Sequence, residues 1–171
     1  MRQFFFSNYS NQPVVSSDND KLSIQFSDDG KLQIQSPNET LLLDEQNKPV
    51  FHNATGESVV EYTGLATDGN KTRSWAKAIY QPGGFSHLHF HRDRTENYYI
   101  LEGCAKVTLD DVVHELSAGS TITIPAGACH QVQNISANNG SLVLVVTCKP
   151  AWTADDLHFV DAPSSTPVIK I

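Results

Sequence analysis

The chain contains a histidine-rich segment, residues 86–91, whose pattern is suited to metal binding. Its histidines stand at alternate positions: His87, His89 and His91. Since alternate side chains of a β-strand point to one face, about 6.6 Å apart, a strand here presents all three imidazoles to one cavity. His130 begins another predicted strand, directly after a Pro125-Ala126-Gly127 turn. Imidazole nitrogens are common ligands of transition metals, so these residues predict a metal site.

Glu96 is the candidate carboxylate ligand of this site. It lies five residues after His91, which is the wrong parity for one continuous strand. We expect residues 92–95 to form a turn that returns Glu96 on the neighbouring strand, within reach of the imidazoles. Three neutral imidazoles and one carboxylate suit Mn, Fe, Ni, Cu or Zn better than Mg or Ca. The pattern therefore predicts one divalent transition metal ion.

The elements that position these residues are predicted to be short strands. Alternating apolar residues and turn residues recur every ~8 to 12 residues, beginning with a β-hairpin at 21–35, which is typical of a sandwich or barrel. Further strands are predicted around 40–43, 49–51, 58–65, 75–81, 87–91, 97–101, 106–109, 112–116, 121–124, 130–135 and 142–148. Thr153, followed by Asp155 and Asp156, indicates one short capped helix. Residues 1–20 are polar and turn-rich, and we expect a loosely docked arm there.

Composition narrows the class of partner. The 171 residues suit one domain, and 19 acidic against 12 basic residues give a net charge of -7. This charge disfavours nucleic acid, and no apolar run approaches the ~18 residues that a membrane span needs. The three cysteines lack paired spacing, which favours a reducing compartment over a disulfide framework. We therefore expect a cytoplasmic protein whose partner is a small molecule rather than nucleic acid or a membrane.

The same residues form two motifs that resemble those of the cupin superfamily. The first motif is Gly83, five residues, His89-Phe90-His91, four residues, Glu96, six residues, Gly103. The second motif is Gly119, five residues, Pro125-Ala126-Gly127, two residues, His130, three residues, Asn134. The match covers residues 83–134 directly and about 71–150 with the flanking strands. Residues 1–70 lie outside it.

The resemblance implies an all-β fold: an antiparallel jelly-roll, or double-stranded β-helix, with an N-terminal β extension and a short C-terminal helix. Residues 71–150 are expected to form the barrel, and 151–171 a tail with the helix. Residues 1–70 are expected to be an arm and hairpin that belong to the barrel or to a dimer interface. Cupins are commonly dimers that exchange N-terminal strands, so we expect a homodimer.

The resemblance also implies roles for single residues. Four of them are expected to be metal ligands: His89, His91, Glu96 and His130. Gly103 and Gly119 are expected in turns, with Asn134 supporting the strand of His130. His87 shares the parity of His89, and Tyr98 that of Glu96, so both are candidate catalytic proton carriers. Alternatively, His87 is a further metal ligand, contacts the substrate or lies at the rim in water. The alternative for Tyr98 is that it packs in the core.

The resemblance implies a metal-dependent protein acting on a small polar molecule, of dioxygenase or isomerase type. Arg94-Thr95-Glu96 and residues 103–108 look like the metal cupin module of bifunctional mannose-6-phosphate isomerases. Those modules often have Gln at the position of His89. The three-histidine set of this chain therefore favours dioxygenase-type or other redox-capable cupins instead. The competing hypothesis is a non-catalytic module that binds a sugar or metabolite with the same metal, because one fold hosts both classes.

Overall fold

The computed structural model describes residues 23–26, 31–36, 39–43 and 48–160 of the chain. The predicted arm at 1–20, the turn of the first hairpin and the tail from residue 161 lie outside the described residues. The chain divides into two compact units, and the division falls after Leu43.

The first unit contains a sheet built from local antiparallel pairs. Its described strands are, in chain order, β1 (Ser23–Phe26), β2 (Leu32–Ser36) and β3 (Glu39–Leu43). Ile34 of β2 is opposite Ile24 in β1 and opposite Leu41 in β3. The pairing of β1 with β2 confirms the hairpin predicted at 21–35.

The second unit is a pair of antiparallel sheets. Its described strands are, in chain order, β4 (Val50–His52), β5 (Glu57–Thr63), β6 (Ser74–Tyr80), β7 (His89–Phe90), β8 (Thr95–Glu102), β9 (Cys104–Leu109), β10 (Val112–Ser117), β11 (Thr121–Ile124), β12 (His130–Asn134), β13 (Leu142–Lys149) and β14 (His158–Phe159). One sheet has the order β10-β9-β12-β7-β14 and the other β11-β8-β13-β6-β5-β4. From β6 to β13 the chain passes repeatedly between the sheets, which confirms the predicted all-β jelly-roll. The six-stranded sheet begins before residue 71, because β4 pairs with β5 and β5 pairs with β6.

Strand alternation decides what faces the interior. Along β8 the side chains of Glu96, Tyr98 and Ile100 are buried, and along β12 those of His130 and Val132 are buried. Since alternate residues share one face, each strand directs a polar group of the site inward at its start, Glu96 or His130, and an apolar group, Ile100 or Val132, further along. The apolar part belongs to a core cluster with members from both sheets.

The helical segments are short. Residues 154–156 form a single 3₁₀ turn, and α1 (Leu65–Asp68) is a one-turn helix that the sequence did not indicate. Thr153 precedes the 3₁₀ turn as expected, but its side chain makes no capping hydrogen bond. Its hydroxyl instead accepts a hydrogen bond of 2.8 Å from Arg94 Nη2. Across the described part of the chain, no helix is long and apolar enough to cross a bilayer.

One predicted strand is much shorter than expected. Of residues 87–91, β7 contains only His89 and Phe90, so the prediction of one continuous strand through all three histidines is wrong.

Asn134 ties the end of β12, the strand of His130, to neighbouring loops and strands. Its Nδ2 donates to the carbonyls of Tyr80, Gln81 and Gly140 at 2.9 to 3.0 Å.

Two glycines stand where the chain changes sheet. Gly103, between β8 and β9, has φ +80°, and Gly119, between β10 and β11, has φ +91°. A Cβ on Gly103 would lie 2.5 Å from the backbone oxygen of Ser141 and closer still to Ser136 Oγ, whereas a Cβ on Gly119 would meet nothing within 4 Å. Both positions need a left-handed backbone, but Gly103 also lacks space for a side chain.

These glycines form a matched pair for a stability test. Gly119→Ala adds only the backbone penalty of about 1–2 kcal/mol. Gly103→Ala adds an overpacking cost of about 1–3 kcal/mol to the same penalty. Denaturant unfolding should therefore show a clearly lower free energy of unfolding for Gly103→Ala than for Gly119→Ala. Equal losses would show that the close approach at Gly103 relaxes without cost.

Candidate metal centre

The structure brings the four predicted ligands together. We call this group the His-Glu cluster: His89, His91, Glu96 and His130. One potential ligand atom from each residue lies within 4.8 Å of the others, and all four residues are at most 9% exposed. The ring centroids of His89 and His130 are 4.2 Å apart. Apart from this group, no cluster of three or more metal-ligating side chains occurs within the described ranges.

The cluster is assembled from both sheets. His89 in β7 is directly opposite His130 in β12, so cross-strand pairing places these imidazoles side by side. Glu96 lies in β8, which belongs to the other sheet and pairs with β11 and β13. The prediction that Glu96 returns on the strand neighbouring the histidines is therefore wrong. The turn after His91 carries the chain to the opposite sheet, and the carboxylate meets the imidazoles across the interior.

Backbone carbonyl groups fix the orientation of each imidazole. Nδ1 of His89 is 2.7 Å from the carbonyl oxygen of His87, and Nδ1 of His130 is 3.0 Å from that of Ala128. Nδ1 of His91 is 2.8 Å from the carbonyl oxygen of Asp156. A carbonyl only accepts, so each Nδ1 must carry the proton and donate it. In the neutral imidazole each Nε2 is then left with a lone pair, which is the arrangement that metal-ligating histidines use.

The carboxylate of Glu96 faces these lone pairs. Its Oε1 lies 3.3 Å from His91 Nε2, and its Oε2 lies 3.3 Å from His130 Nε2. Within the described residues, His130 Nε2 is buried and has no hydrogen-bond partner. An imidazole lone pair and a carboxylate oxygen repel at this distance unless positive charge lies between them, either a proton or a metal cation.

Comparison with known proteins supports this interpretation of the motifs. The family model described as a cupin domain matches residues 76–147. An uncharacterized protein of Methanocaldococcus jannaschii is 35% identical over 91 residues, which are 52% of this chain and 70% of that protein. The chain belongs to the cupin superfamily.

Two further similarities extend the comparison. Mannose-1-phosphate guanylyltransferase 2 of Escherichia coli O157:H7 is 40% identical over 58 residues, which are 34% of this cupin but only 12% of that enzyme. Among solved structures, a variant of the Streptomyces protein PAC13 with uridine has a TM-score of 0.59 and 19% identity, covering 71% of this chain and 92% of that one. At this identity the structural likeness shows the fold alone.

Burial and neighbouring charges shift the pKa values of His89 and Glu96 away from their usual values. Desolvation, and then repulsion from His130, lowers the pKa of His89 from 6.5 to about 3. For Glu96, desolvation acts to raise the pKa, but the interactions with His130 and His91, whose imidazoles are positively charged when protonated, outweigh it and hold the pKa well below 4.5. At neutral pH the cupin therefore has an ionised carboxylate beside a His89 whose Nε2 is free to bind a cation.

The two residues predicted as proton carriers occupy different places. Tyr98 is buried and donates a hydrogen bond of 2.9 Å to Glu96 Oε2. His87 is half-buried, outside the His-Glu cluster, with its ring edge-on to those of Phe85 and Phe159 at centroid distances of 5.7 and 5.9 Å. Tyr98 thus contacts a cluster residue directly, whereas His87 contacts the cluster through its carbonyl bond to His89.

Two residues that contact the His-Glu cluster were not predicted from the sequence to do so. Cys148 donates its thiol hydrogen to Glu96 Oε1 at 3.2 Å, and it is directly opposite Glu96 in the pairing of β13 with β8. Asp156 was predicted only as an acid in the first turn of the short helix, yet its carbonyl holds His91. Only the strand register could have revealed Cys148, since the local sequence around it carries no signal.

The lowered pKa of His89 predicts how the stability of the metal-free protein depends on pH. Between pH 6.5 and about 3 the unfolded chain binds a proton at this residue that the folded chain excludes. The free energy of unfolding should therefore fall on acidification through this window, by up to about 1.4 kcal/mol per pH unit from His89. Glu96, whose pKa is also lowered, adds stability above pH 4.5 that is lost below it.

The measurement is denaturant unfolding of chelator-treated protein from pH 7 to 4, with His89→Gln as the comparison. The variant lacks the titrating ring and should have a shallower slope between pH 6.5 and 4.5. Identical slopes for the two proteins would contradict a depressed pKa at His89.

Proposed function

We propose that this cupin is a metal-dependent enzyme that acts on a small polar molecule, with the His-Glu cluster holding one divalent transition metal ion. The observation that carries the proposal is the convergence of three imidazoles and one buried carboxylate, whose potential ligand atoms all lie within 4.8 Å of one another. The unpartnered Nε2 of His130 supports it directly, because a buried polar atom without a partner is costly.

The cluster fits such an ion in both chemistry and size. Three nitrogens and one oxygen suit Mn, Fe, Ni, Cu or Zn. Ligand atoms around an ion at about 2.1 Å are at most about 4.2 Å apart, so the observed group needs to contract by less than about 1 Å. When bound, the ion supplies Lewis-acid chemistry for an isomerase, or a redox centre for a dioxygenase.

The protein's own groups keep the ligands in place. The carboxylate of Glu96 is held by the hydroxyl of Tyr98 on one oxygen and by the thiol of Cys148 on the other. Burial, and then the negative charge of Glu96, raises the pKa of both of these donors well above its usual value. Both therefore keep their protons and remain hydrogen-bond donors over the physiological pH range.

Of the two predicted proton carriers, His87 has the environment that the role requires. Its imidazole is half-buried, and its ring contacts aromatic groups rather than a carboxylate. A histidine in such a place can exchange protons with a bound substrate. The hydroxyl proton of Tyr98 is engaged by Glu96, so we assign Tyr98 the orientation of that carboxylate first and proton transfer only second.

A half-buried acid, Glu57, adds polar character beside the core. Glu57 in β5 accepts a hydrogen bond of 2.5 Å from the hydroxyl of Tyr80, which belongs to the same buried cluster as Tyr98. Desolvation raises the pKa of Glu57. These groups favour a polar substrate over an apolar one.

Metal content tests the ligand assignment. Purified protein should carry close to one Mn, Fe, Ni, Cu or Zn ion per chain by elemental analysis, and the double variant His89→Ala, His91→Ala should lose it. His114→Ala is the matched control, because this histidine lies on β10 outside the cluster and should leave the metal content unchanged. Unchanged metal in the double variant would refute the assignment.

Activity separates the remaining alternatives. Dioxygen uptake with enediol, catechol and thiol substrates should be screened beside isomerisation of sugar phosphates. On the substrate that is turned over, His87→Ala should lower kcat about 10²- to 10⁴-fold while the metal content stays at one per chain. A metal-loaded protein without turnover in any of these assays would favour the non-catalytic binding module.

We also propose that the protein is a cytoplasmic homodimer. Its three cysteines are all free thiols, which suits a reducing compartment. The paired strands β1 and β2 form the hairpin that we propose for exchange between subunits. A monomeric mass in solution would contradict the dimer.

A further inference from the structure

The His-Glu cluster is bordered by a segment from the far end of the described chain. We call residues 153–160 the bordering segment. Its strand β14 pairs with β7 and places Phe159 opposite His89. The amide of Val160 donates to the carbonyl of Leu88 at 3.1 Å. Because paired residues share a face, Phe159 lies on the same face of the sheet as His89, and their ring centroids are 6.4 Å apart.

His91 depends on this segment in a way that the other two histidines do not. The Nδ1 acceptors of His89 and His130 are carbonyls only two residues away in the chain. The acceptor of His91 is the carbonyl of Asp156, 65 residues away. The tautomer and direction of this one imidazole are therefore controlled by a distant residue, whereas its neighbours are oriented by their own loops.

The side chain of Asp156 holds that carbonyl in place. Its Oδ1 accepts the backbone N–H of Arg92 at 2.9 Å, and its Oδ2 accepts Nε of Arg94 at 2.8 Å. A longer bond of 3.3 Å joins the backbone N–H of Asp93 to Oδ1. Thr153 adds a second anchor through the Arg94 guanidinium. Asp156 thus ties the turn between His91 and Glu96 to the segment whose carbonyl holds His91.

We propose that Asp156 is a positioning residue of the metal centre. Its carboxylate fixes the turn at 92–94, and its carbonyl keeps His91 in the Nδ1–H tautomer with Nε2 directed at the metal. The inference rests on the proposed metal binding by the His-Glu cluster. It adds that the affinity for the ion is set in part by a side chain that does not touch it.

The alternative role for Asp156 is general stabilisation of the fold through its ion pair with Arg94. The two roles differ in what they affect. A structural role acts on the whole second unit, whereas positioning acts on His91 and leaves His89 and His130, with their local carbonyl acceptors, as they are.

The first measurement is the affinity for Zn²⁺ by competition with a chromophoric chelator. Asp156→Ala should bind about 10- to 100-fold more weakly than the unaltered protein, the usual effect of removing a group that orients a ligand. Asp156→Asn keeps an oxygen for the two backbone amides and should lose less, about 3- to 10-fold. Asp155→Ala, an exposed acid in the same turn, is the control and should bind normally.

The second measurement is the tautomer of each histidine in the metal-free protein, by long-range ¹H–¹⁵N NMR. In the unaltered protein all three cluster histidines should be Nδ1–H. In Asp156→Ala, His91 should change to a tautomer mixture while His89 and His130 stay unchanged. A change at all three histidines would assign Asp156 a general structural role and overturn the inference.

The outcomes separate this inference from the proposed function. If the unaltered protein binds no metal ion, both are overturned. If it binds and Asp156→Ala matches it within twofold with His91 unchanged, only the positioning role is overturned. Should Asp156→Ala fail to fold, Asp156→Asn decides: affinity at least threefold weaker supports the role, and unaltered affinity overturns it.

Discussion

The arrangement of this protein's interior depends on one buried negative charge. Glu96 is 4% exposed and ionised, and a carboxylate removed from water is stable only when donors and positive charge surround it. Both oxygens are satisfied: one by Cys148 and the other by Tyr98, with an imidazole nitrogen 3.3 Å from each. A cation between the carboxylate and the imidazole lone pairs would remove the repulsion between them.

The jelly-roll places the two groups on either side of such a cation, because they belong to different sheets. The imidazoles come from the sheet that contains β7 and β12, and the carboxylate comes from β8 in the other. A cation held by both groups would therefore link the two sheets across the interior. The same strands continue inward with Ile100 and Val132, both fully buried, so the polar cluster is backed by apolar core. Such a wall excludes water and strengthens each electrostatic interaction at the site.

Orientation of the imidazoles is a separate requirement from their proximity. Two of them are oriented by carbonyls of their own loops, so the geometry of these loops is enough to aim Nε2. His91 is oriented by the carbonyl of Asp156, which lies two residues before β14, the strand that pairs with β7. The order of the site thus depends on a contact between segments that are far apart in sequence.

Much of this site follows from the sequence. The alternating histidines and the turn before His130 predicted a metal site, and the resemblance of the two motifs to those of cupins implied the four residues that the structure brings together. The resemblance also implied the turn positions of Gly103 and Gly119, and both have positive φ. The motifs are local, because the two-residue period of a strand and the backbone needs of a turn are expressed within a few residues.

What the tertiary structure decided is which segments meet. The sequence placed Glu96 on a strand beside the histidines, but the turn after His91 leads to the opposite sheet. It also gave no sign that Cys148 or Asp156 would contact the cluster, because these contacts arise from the pairing of β13 with β8 and of β14 with β7. Period and turn chemistry are properties of neighbouring residues, whereas register between distant strands is set by how the whole core packs.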